Sequence, residues 1–573
     1  MTMQMTQRPG GELPAEVDVL VVGSGVAGLA AAITAADAAL SVAIVEKADV
    51  FGGTTAYSAG VVWVPCSRQA REAGIEDSED QVVQYIRHEA GPAFDEAKAR
   101  IFAQQATKAL AYLESNTHAS FVLAPAWPDY HPLAPGASPG GRSLAPLAFE
   151  GTRLGPWFSR LRWPLPTTLL WGGLSIARGD VPHFMAMTRS AASAWHVAKL
   201  VARYGWDRLR HPRGTRLTNG NALVAALALS ALERSVGLHL QTPLLRLEAA
   251  GRDITGAWVG TSAGEHLIRA RKGVVLACGG FPHSAALQTQ TYAHVAAGQS
   301  HLSLAPADNT GDGVAAAMAL GGQLVRGQQP AAWTPVSTVV DSAGQRHLYP
   351  HFLDRNKPGF IAVNRHGQRF VNESDSYHDF VAALLRNCSG DDQSYAWIIA
   401  DHPAVRRYGI GVAPPAPGRL APHVRSGYLV RASSIAELAR KIGVPEGALS
   451  GTVDRFNGPA REGRDPVFGR GENVYHRFGG DASQGQKCCV APLETGPFYA
   501  LKVSASDLGT FAGLATDGQA RVLDAIGQPI RGLYACGNDM ASVFGGEYSG
   551  AGITIGPALT FGHLAGLHLA GQT

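Results

Sequence analysis

The chain has 573 residues, which is too long for one ordinary core and indicates two or three domains. Hydrophobic residues make up 46% and charged residues 17%, a balance typical of a large buried core and not of a disordered chain. The net charge of +3 is too small, and Lys and Arg are too dispersed, to indicate a nucleic-acid partner.

The first 16 residues are polar and contain no apolar stretch of the secretory type, so we expect a cytoplasmic protein. No apolar run reaches the length of about 18–20 residues that crosses a bilayer. Residues 157–187 come closest, but three arginines and Asp180 interrupt them. They are expected to form a buried cap, with a peripheral membrane contact or a substrate entrance as the alternatives. The six cysteines form no CxxC pair, which favours free thiols over a metal site.

The first predicted elements form a strand–loop–helix–strand unit. The apolar run 17–22 indicates a parallel strand covered on both faces, and an Ala-rich helix is expected over 29–39. Between them lies the glycine-rich loop Gly23-Ser-Gly-Val-Ala-Gly28. The run 41–46 predicts a second strand that ends at Glu46. A GxGxxG loop in this context is typical of a dinucleotide-binding site.

Each glycine of this loop has a steric role. Gly23 permits the tight turn, Gly25 lets the backbone approach a pyrophosphate, and Gly28 lets the helix lie close to the strand. The helix N-terminus offers free N–H groups and a partial positive charge. Glu46 can accept hydrogen bonds from ribose hydroxyls and would repel a 2′-phosphate. The expected contacts are Gly23, Ser24, Gly25, Val26, Ala27, Gly28, Glu46 and Lys47.

Further glycine-rich loops follow along the chain. Phe51-Gly-Gly-Thr-Thr55 comes directly after Glu46, strands are expected at 238–248, 256–260 and 272–277, and the last of these ends in Cys278-Gly-Gly280. Near the end, Gly532-Leu-Tyr-Ala-Cys-Gly537 precedes another glycine-rich loop and a helix from about Gly556. The loop at 51–60 resembles the second phosphate and flavin-contact loop of two-dinucleotide-binding-domain flavoproteins, and 534–539 resembles their C-terminal flavin motif. This resemblance implies the additional cofactor contacts Gly52, Gly53, Thr54, Thr55, Ser58, Gly60, Ala277, Gly279, Gly280, Gly537, Asn538, Ile553 and Thr554.

Taken together, these loops resemble the fumarate reductase and 3-ketosteroid dehydrogenase superfamily of flavoproteins. The matching segments are 23–28, 52–60, 274–281, 309–313, 367–373, 509–517 and 532–562. The resemblance implies FAD as the cofactor and an α/β fold, in which an α+β catalytic (cap) domain is inserted into a Rossmann-like FAD-binding domain. We expect the FAD-binding domain at 1–280, with a helical cap insertion at about 120–215, and at 491–573. The catalytic domain is expected at 281–490.

Two departures separate this chain from branches of that superfamily. Fumarate reductases clamp a dicarboxylate with arginines, but one such position is held here by Tyr377 and the loop 544–552 contains no Arg. Bidentate carboxylate recognition is therefore not expected. The histidine that bonds covalently to FAD in succinate dehydrogenases is absent from Gly53-Thr-Thr-Ala-Tyr-Ser58, so we expect non-covalent FAD.

Tyrosines stand in place of the arginines. The segment 547–557 is similar to a loop of 3-ketosteroid Δ1-dehydrogenases, where a tyrosine hydroxyl and a glycine N–H bind the ketone oxygen; these correspond to Tyr548 and Gly552. The resemblance assigns the catalytic base to Tyr377 and its support to Tyr130. Trp127 and Ser549 are expected to line the substrate pocket. Ser549 replaces the family's usual proline, which leaves regiochemistry and substrate size open.

Desaturation beside a ketone requires a polarised carbonyl, loss of the α-hydrogen as a proton and transfer of the β-hydrogen as a hydride. Tyr548 and Gly552 would stabilise the developing enolate, as in an oxyanion hole. A tyrosine is a poor base unless neighbours stabilise its anion, the role given to Tyr130 and the flavin's surroundings. FAD N5 would accept the hydride. His378, beside Tyr377, is expected to be a surface or structural residue rather than a proton relay.

The sequence therefore predicts FAD-dependent α,β-dehydrogenation of a small apolar cyclic ketone, either a 3-ketosteroid or a smaller ring such as cyclohexanone, with an unidentified electron acceptor and no metal. One alternative is an ene-reductase acting on an unsaturated acid or ketone. Another is a non-catalytic flavin redox sensor, which would need no base. A nicotinamide enzyme is disfavoured because no second complete GxGxxG follows a strand.

Overall fold

A computed structural model describes residues 11–572, and within this range the chain forms one eight-stranded sheet, one seven-stranded sheet and three small sheets. Residues 1–10, the start of the polar N-terminal segment, lie outside the described range. The α-helices are Val26–Asp37, Arg68–Glu72, Glu79–Ala90, Glu96–Asn116, Val181–Ala186, Ala191–Arg208, Asn219–Glu233, Ala285–Thr291, Ala293–Ala296, Asp312–Met318, Tyr377–Asn387, His402–Tyr408, Ala421–Arg425, Ile435–Ile442, Glu446–Ala460, Val474–Gly479 and Ile555–Leu569.

The eight-stranded sheet brings both ends of the described chain together. Its strand order is Arg521–Leu523, Pro529–Ala535, Gly264–Leu276, Glu16–Val22, Val42–Val45 and Gly237–His239, with Asp253–Thr261 and Leu244–Ala250 continuing from Gly264–Leu276. In this order, each pair of neighbouring strands between Pro529–Ala535 and Gly237–His239 is parallel, which gives four parallel pairings. Parallel strands are covered on both faces, which explains why Leu20, Val21 and Val275 are fully buried.

The structure divides the strand expected at 238–248 into two. Gly237–His239 pairs in parallel with Val42–Val45, whereas Leu244–Ala250 belongs to an antiparallel meander. The break lies where Gln241 adopts a φ of +54° and Pro243 follows. A proline with no N–H and a residue in the left-handed region turn the chain instead of extending it.

The seven-stranded sheet is antiparallel for the most part and is centred on one long strand. Its main order is Arg346–Pro350, Ala331–Val340, Phe498–Thr510, Tyr395–Ala400 and Phe360–Val363, and Leu302–Ser303 and Val430–Ala432 also pair with Phe498–Thr510. This central strand lies within 491–573, the segment that the sequence assigns to the FAD-binding domain. The chain returns to the eight-stranded sheet only at Arg521–Leu523.

The cap segment at 120–215 is less helical and less buried than expected. It contains the short strands Phe121–Leu123, Ser143–Pro146 and Phe149–Glu150 and the 3-10 helices Gly151–Arg160, Pro166–Thr168 and Arg178–Asp180, before the α-helices Val181–Ala186 and Ala191–Arg208. Trp157 is 1% exposed, but Trp171 and Met185 are 60% and 57% exposed. No helix within residues 11–572 combines the length and apolar character needed to cross a bilayer.

A buried ion network holds the segment before Tyr377. The carboxylate of Glu373 accepts hydrogen bonds from Arg369 Nε and Nη2 at 2.8 and 2.6 Å and from Arg470 Nη1 at 3.2 Å. Glu373 and Arg470 are 0% and 2% exposed. Burial by itself would raise the pKa of Glu373, but the two arginines outweigh it and lower that pKa. This network joins the strand Phe360–Val363 to the start of the Tyr377 helix, since Ala362 N–H donates to the same carboxylate.

Replacing Glu373 by Gln should destabilise the fold by about 3–5 kcal/mol, because the buried Arg470 loses its carboxylate partner and Arg369 keeps only Asp465. The midpoint of urea unfolding at pH 7 measures this loss. Folding lowers the pKa of Glu373. Its contribution to the free energy of unfolding is therefore present at neutral pH and is lost as the pH falls through the lowered pKa. Glu437→Gln, in the exposed pair with Lys441, is the matched control and should change the midpoint little. Equal unfolding midpoints for the two variants would contradict a stabilising role of the buried Glu373 network.

Candidate active site

The predicted dinucleotide loop lies between the strand Glu16–Val22 and the helix Val26–Asp37. The helix begins after Gly25 with no acidic residue in its first turn, so no negative charge there opposes an anion, although Val26 N–H donates to Thr55 Oγ1 at 3.3 Å. Gly23 has a φ of +109°, and a Cβ there would lie 2.1 Å from the carbonyl oxygen of Ala277. A Cβ at Gly28 would lie 2.1 Å from the carbonyl oxygen of Gly23. A side chain at either position would collide with the backbone, so both positions require glycine.

Gly25 is different, because the space beside it is open. A Cβ at Gly25 would meet only Thr55 Oγ1, at 3.8 Å. Gly53, whose φ is +50°, faces the same space, and its nearest neighbour would be Gly25 Cα at 3.6 Å. Two glycines thus border room at a helix N-terminus, which is the shape and polarity that a diphosphate requires.

Glu46 lies at the end of the strand Val42–Val45 and is held firmly. Its carboxylate accepts hydrogen bonds from Ser24 N–H at 3.1 Å, from Ser24 Oγ at 2.5 Å and from Ala48 N–H at 3.0 Å. Ser24 Oγ also accepts from Gly52 N–H at 3.0 Å, which ties the two glycine loops together. Lys47, which is also a predicted cofactor contact, donates to the side chains of Thr310 and Asp312 at 2.6 and 2.9 Å.

Asn309, which the predicted contacts omit, connects two of the loops. Its amide donates to Thr54 Oγ1 at 2.9 Å and to the carbonyl of Gly279 at 3.1 Å. Ser58 and Gly60 serve their own loop instead, since Ser58 Oγ donates to the Thr55 carbonyl and accepts from Gly60 N–H. The signal for Asn309 was present in the sequence as the matching segment 309–313.

Asp539, also omitted from the predicted contacts, anchors the C-terminal loop. Its carboxylate accepts from the N–H groups of Cys278 and Gly280, the latter at 3.3 Å. Burial raises the pKa of Asp539 to about 6, although these N–H groups lower it. Next to it, a Cβ on Gly537 would lie 3.1 Å from Ala27 Cβ, and Asn538 O lies 2.9 Å from the Cβ position of Gly280. Ala277, Gly279, Gly280, Gly537 and Asn538 therefore meet near the first glycine loop.

A cluster of three tyrosines forms the second part of the site. Tyr130, Tyr377 and Tyr548 are 5–6% exposed although they are far apart in the sequence. The ring centres of Tyr130 and Tyr548 are 5.7 Å apart and nearly parallel, and Tyr377 contacts both rings at 5.7 and 5.0 Å. The Tyr130 hydroxyl donates to the Tyr377 hydroxyl at 3.4 Å. The structure thus brings together all three tyrosines that the sequence singled out.

Backbone contacts fix two of these tyrosines relative to each other. The carbonyl of Ser549 accepts from Tyr130 N–H at 2.9 Å and from the Tyr85 hydroxyl at 2.7 Å. Ser549 is fully buried, and its own hydroxyl has no partner among residues 11–572. Tyr377 begins the helix Tyr377–Asn387, which Ser376 caps through a hydrogen bond from Asp379 N–H.

His131 locks the loop that carries Tyr130 to the helix that carries Tyr377. Its two ring nitrogens lie 2.5 Å from Glu89 Oε2 and 2.9 Å from Asp379 Oδ2. Burial would lower the pKa of His131, but Asp379 and Glu89 outweigh it and raise that pKa well above the ordinary value. The imidazolium therefore bridges two carboxylates. Nothing in the sequence pattern indicated this contact.

Gly552 presents a backbone donor beside the tyrosines. Its φ is +98°, and a Cβ would lie 2.5 Å from Trp63 N and 2.7 Å from the Val61 carbonyl oxygen. Its carbonyl accepts from Trp63 N–H and Gly556 N–H at 3.1 and 2.8 Å, but no acceptor for its own N–H occurs in the described part of the chain. Ile553 is buried, and Thr554 precedes the helix Ile555–Leu569.

Several aromatic residues of the site carry no recognisable motif. Tyr475 lies 4.7 Å from Tyr130, Phe352 lies 5.0 Å from Tyr377, and Phe511 lies 5.8 Å from Tyr548, all measured between ring centres. His378 is fully buried and not a surface residue: its Nδ1 accepts from Trp333 N–H at 3.2 Å, and its Nε2 lies 3.5 Å from Glu547 Oε2. Among residues 11–572, no group of three or more His, Cys, Asp or Glu side chains could hold a metal ion.

Burial keeps the tyrosines of the free protein neutral. It raises the pKa of Tyr377 well above the ordinary value, and Tyr130 and Tyr548 add to this shift. Burial also raises the pKa of Tyr548, which hydrogen bonds from Tyr377 and Thr554 partly offset. An uncharged hydroxyl can donate a hydrogen bond to a neutral carbonyl oxygen without the desolvation cost of a buried ion.

Comparison with known proteins identifies the class of cofactor site. Residues 18–555 match the model of a family described as FAD binding domain. The chain belongs to this FAD-binding family. The space between Gly25 and Gly53, the helix N-terminus and the oriented Glu46 fit FAD, so the flavoprotein uses the cofactor that the sequence predicted.

Individual relatives define the branch. The flavoprotein is 39% identical to a 4-oxocyclohex-2-ene-1-carboxylate 5-dehydrogenase of Sinomonas cyclohexanicum, over 96% of this chain and 93% of the relative. It is 34% identical to a 3-oxosteroid 1-dehydrogenase of Mycolicibacterium smegmatis, over 97% of each chain. The crystal structure of 3-ketosteroid Δ1-dehydrogenase from Sterolibacterium denitrificans, in complex with 1,4-androstadiene-3,17-dione, superposes with a TM-score of 0.89 at 36% identity, over 98% of this chain and 100% of the other. These relatives confirm the predicted superfamily, α/β fold class and oxidoreductase activity.

Replacing Gly25 by Ala should leave the protein folded but weaken FAD binding by about tenfold or more, because a methyl group would displace a charge-assisted backbone contact to the diphosphate. The ratio of flavin to protein absorbance after dilution measures the loss, and thermal unfolding of the apoprotein monitors folding. Gly447→Ala, whose Cβ would meet nothing within 4 Å, is the control. Full FAD retention by Gly25→Ala would place the cofactor elsewhere.

Proposed function

We propose that this flavoprotein introduces a carbon–carbon double bond next to the ketone of a saturated ring, with non-covalently bound FAD. The observation that carries the proposal is the buried cluster of Tyr130, Tyr377 and Tyr548 beside the unpaired N–H of Gly552. These are neutral donors and aromatic surfaces, which suit a ketone on an apolar ring. The named substrates of the relatives, ring ketones in each case, support the same class.

In this proposal the ketone oxygen is bound by the Tyr548 hydroxyl and the Gly552 N–H. Both donors would strengthen their hydrogen bonds as negative charge develops on the oxygen, which makes the α-C–H bond more acidic. Both are fixed in advance, Gly552 by its contacts with Trp63 and Tyr548 by burial. Fixed donors need no reorganisation during the reaction, which is why they favour the enolate-like transition state.

Tyr377 would remove the α-proton as the tyrosinate, with Tyr130 donating a hydrogen bond to its oxygen. The 3.4 Å separation of the two hydroxyls supports this pairing, and the bridge from His131 to Glu89 and Asp379 holds it in place. The β-hydrogen leaves with its electron pair, so one proton and one hydride equivalent leave per double bond formed. When bound, FAD supplies the two-electron oxidant that this reaction requires.

Anaerobic mixing of the holoenzyme with ring ketones tests the proposal directly. A saturated cyclic ketone or a 3-ketosteroid should bleach the oxidised flavin band, and Tyr377→Phe should slow this reduction by about 10²–10⁴-fold because the proton acceptor is removed. Tyr395→Phe, in the strand Tyr395–Ala400 away from the cluster, is the control and should keep the wild-type rate.

Two results would decide against the proposal. Absence of bleaching by every ring ketone, with reoxidation of reduced enzyme by an enone or an unsaturated acid, would establish a reductase. Equal rates for wild type and Tyr377→Phe would remove the base from the mechanism.

The rate of flavin reduction should rise with pH between 7 and 9. Tyr377 must lose its proton to act, and burial holds its pKa well above the ordinary value, so the ionised fraction is small at pH 7 and grows by about tenfold per pH unit. Stopped-flow measurement across this range gives the slope, and the residual rate of Tyr377→Phe should show no such slope. A wild-type rate that is flat or falls with pH would contradict ionisation of a tyrosine.

A further inference from the structure

Two pairs of aromatic rings, three residues apart on each of two chain segments, lie at and beside the tyrosine cluster. Tyr130 and Tyr475 form the inner pair, with ring centres 4.7 Å apart, and Trp127 and Phe478 form the outer pair at 5.8 Å. Both inner rings are buried and both outer rings are half-buried. We refer to Trp127, Tyr130, Tyr475 and Phe478 as the aromatic ladder. It extends from rings that are buried in the tyrosine cluster to rings that are half-buried.

The guanidinium of Arg178 covers the outer end of this ladder. Its Cζ lies 3.8 Å from the centre of the Trp127 ring and 5.2 Å from that of Phe478. Arg178 belongs to the 3-10 helix Arg178–Asp180 of the cap segment. Stacking against two rings restricts a side chain that would otherwise be mobile, so little conformational entropy remains to be lost on binding a ligand.

Arg178 also lacks a counter-charge. Within residues 11–572, no carboxylate oxygen lies within 4.0 Å of its guanidinium nitrogens. Asp180, two residues later, instead pairs with His196 and Arg216 at 2.9 and 3.0 Å. Burial lowers the pKa of Arg178, and Tyr130 is the group that opposes this shift. The charge of Arg178 is therefore directed towards the ladder and not neutralised by the protein.

A guanidinium that stacks by its face keeps the N–H donors at its edge free. These donors match a carboxylate in a bidentate geometry. The donors proposed for the ketone oxygen are different in kind, since they are the neutral hydroxyl of Tyr548 and the backbone N–H of Gly552. Ketone recognition and anion recognition would therefore use separate groups.

We propose that Arg178 binds a carboxylate of the substrate and makes ring ketones with a carboxylate opposite the ketone the preferred substrate class. This inference rests on the proposed function, since it requires the ketone oxygen to lie at Tyr548 and Gly552. A 4-oxocyclohexanecarboxylate has this arrangement, because its ketone and carboxylate occupy opposite ends of one ring. A single arginine outside the tyrosine cluster thus replaces the two arginines that this chain lacks.

The experiment compares 4-oxocyclohexanecarboxylate with the uncharged 4-oxocyclohexanecarboxamide as substrates of the holoenzyme. Arg178→Met should lower kcat/KM for the acid by about 10- to 100-fold, chiefly through KM, and leave the value for the amide within about twofold. Arg178→Lys, which keeps the charge but not the planar fork, should recover part of the loss. Arg210→Met is the matched control, because Arg210 stacks over the exposed Trp206 at the same distance of 3.8 Å. It should change neither value.

Equal losses for acid and amide in Arg178→Met would show that the residue shapes the site without binding a carboxylate, and this would overturn the inference. An unchanged kcat/KM for the acid would do the same. In both cases the proposed function would still hold, provided that the wild-type enzyme dehydrogenates the amide. If no ring ketone reduces the flavin of the wild-type enzyme, the proposed function and the role of Arg178 both fall.

Discussion

The contact between the hydroxyls of Tyr130 and Tyr377 is the constraint on which the rest of the site depends. A buried phenol hydroxyl needs a partner, and here two of them satisfy each other across a boundary between distant parts of the chain. Tyr130 belongs to the cap segment at 120–215, and Tyr377 begins a helix between the strands Phe360–Val363 and Tyr395–Ala400 of the seven-stranded sheet. The ion bridge through His131 reinforces the same junction with charges that burial makes costly to leave unpaired.

Trp63 explains why glycine is so frequent in the loop that carries Tyr548. A Cβ at Gly550, Gly552 or Gly556 would lie 2.7, 2.5 or 2.2 Å from an atom of Trp63. Gly550 approaches the buried indole, whereas Gly552 and Gly556 approach the backbone of the same residue, and side chains would prevent each contact. Trp63 Nε1 in turn donates to Asp129 at 2.8 Å, directly before Tyr130 in the chain. One residue thus contacts both of these tyrosine-bearing loops.

The exchange of arginine for tyrosine has a physical rationale. Arginines buried among aromatic rings would need counter-charges, as Arg369 and Arg470 need Glu373 elsewhere in this protein. Neutral hydroxyls can be buried together and still polarise a ketone. His131, the positive group beside Tyr130, is paired with Glu89 and Asp379. Arg178 is exposed at the outer end of the aromatic ladder and has no such partner among residues 11–572.

The sequence by itself determined the first glycine loop, the strand and helix around it, Glu46, and the three tyrosines. The loop, its strand and helix, and Glu46 follow from local rules: strand and helix periodicity, the conformational freedom of glycine, and a motif at fixed spacing. The three tyrosines were indicated by the resemblance of their segments to a known flavoprotein superfamily. Only the tertiary structure decided that Phe498–Thr510 lies in the second sheet and that Tyr475, His131, Trp63 and Arg178 surround the tyrosines. These placements depend on contacts between residues tens to hundreds of positions apart, which neither periodicity nor motif spacing encodes.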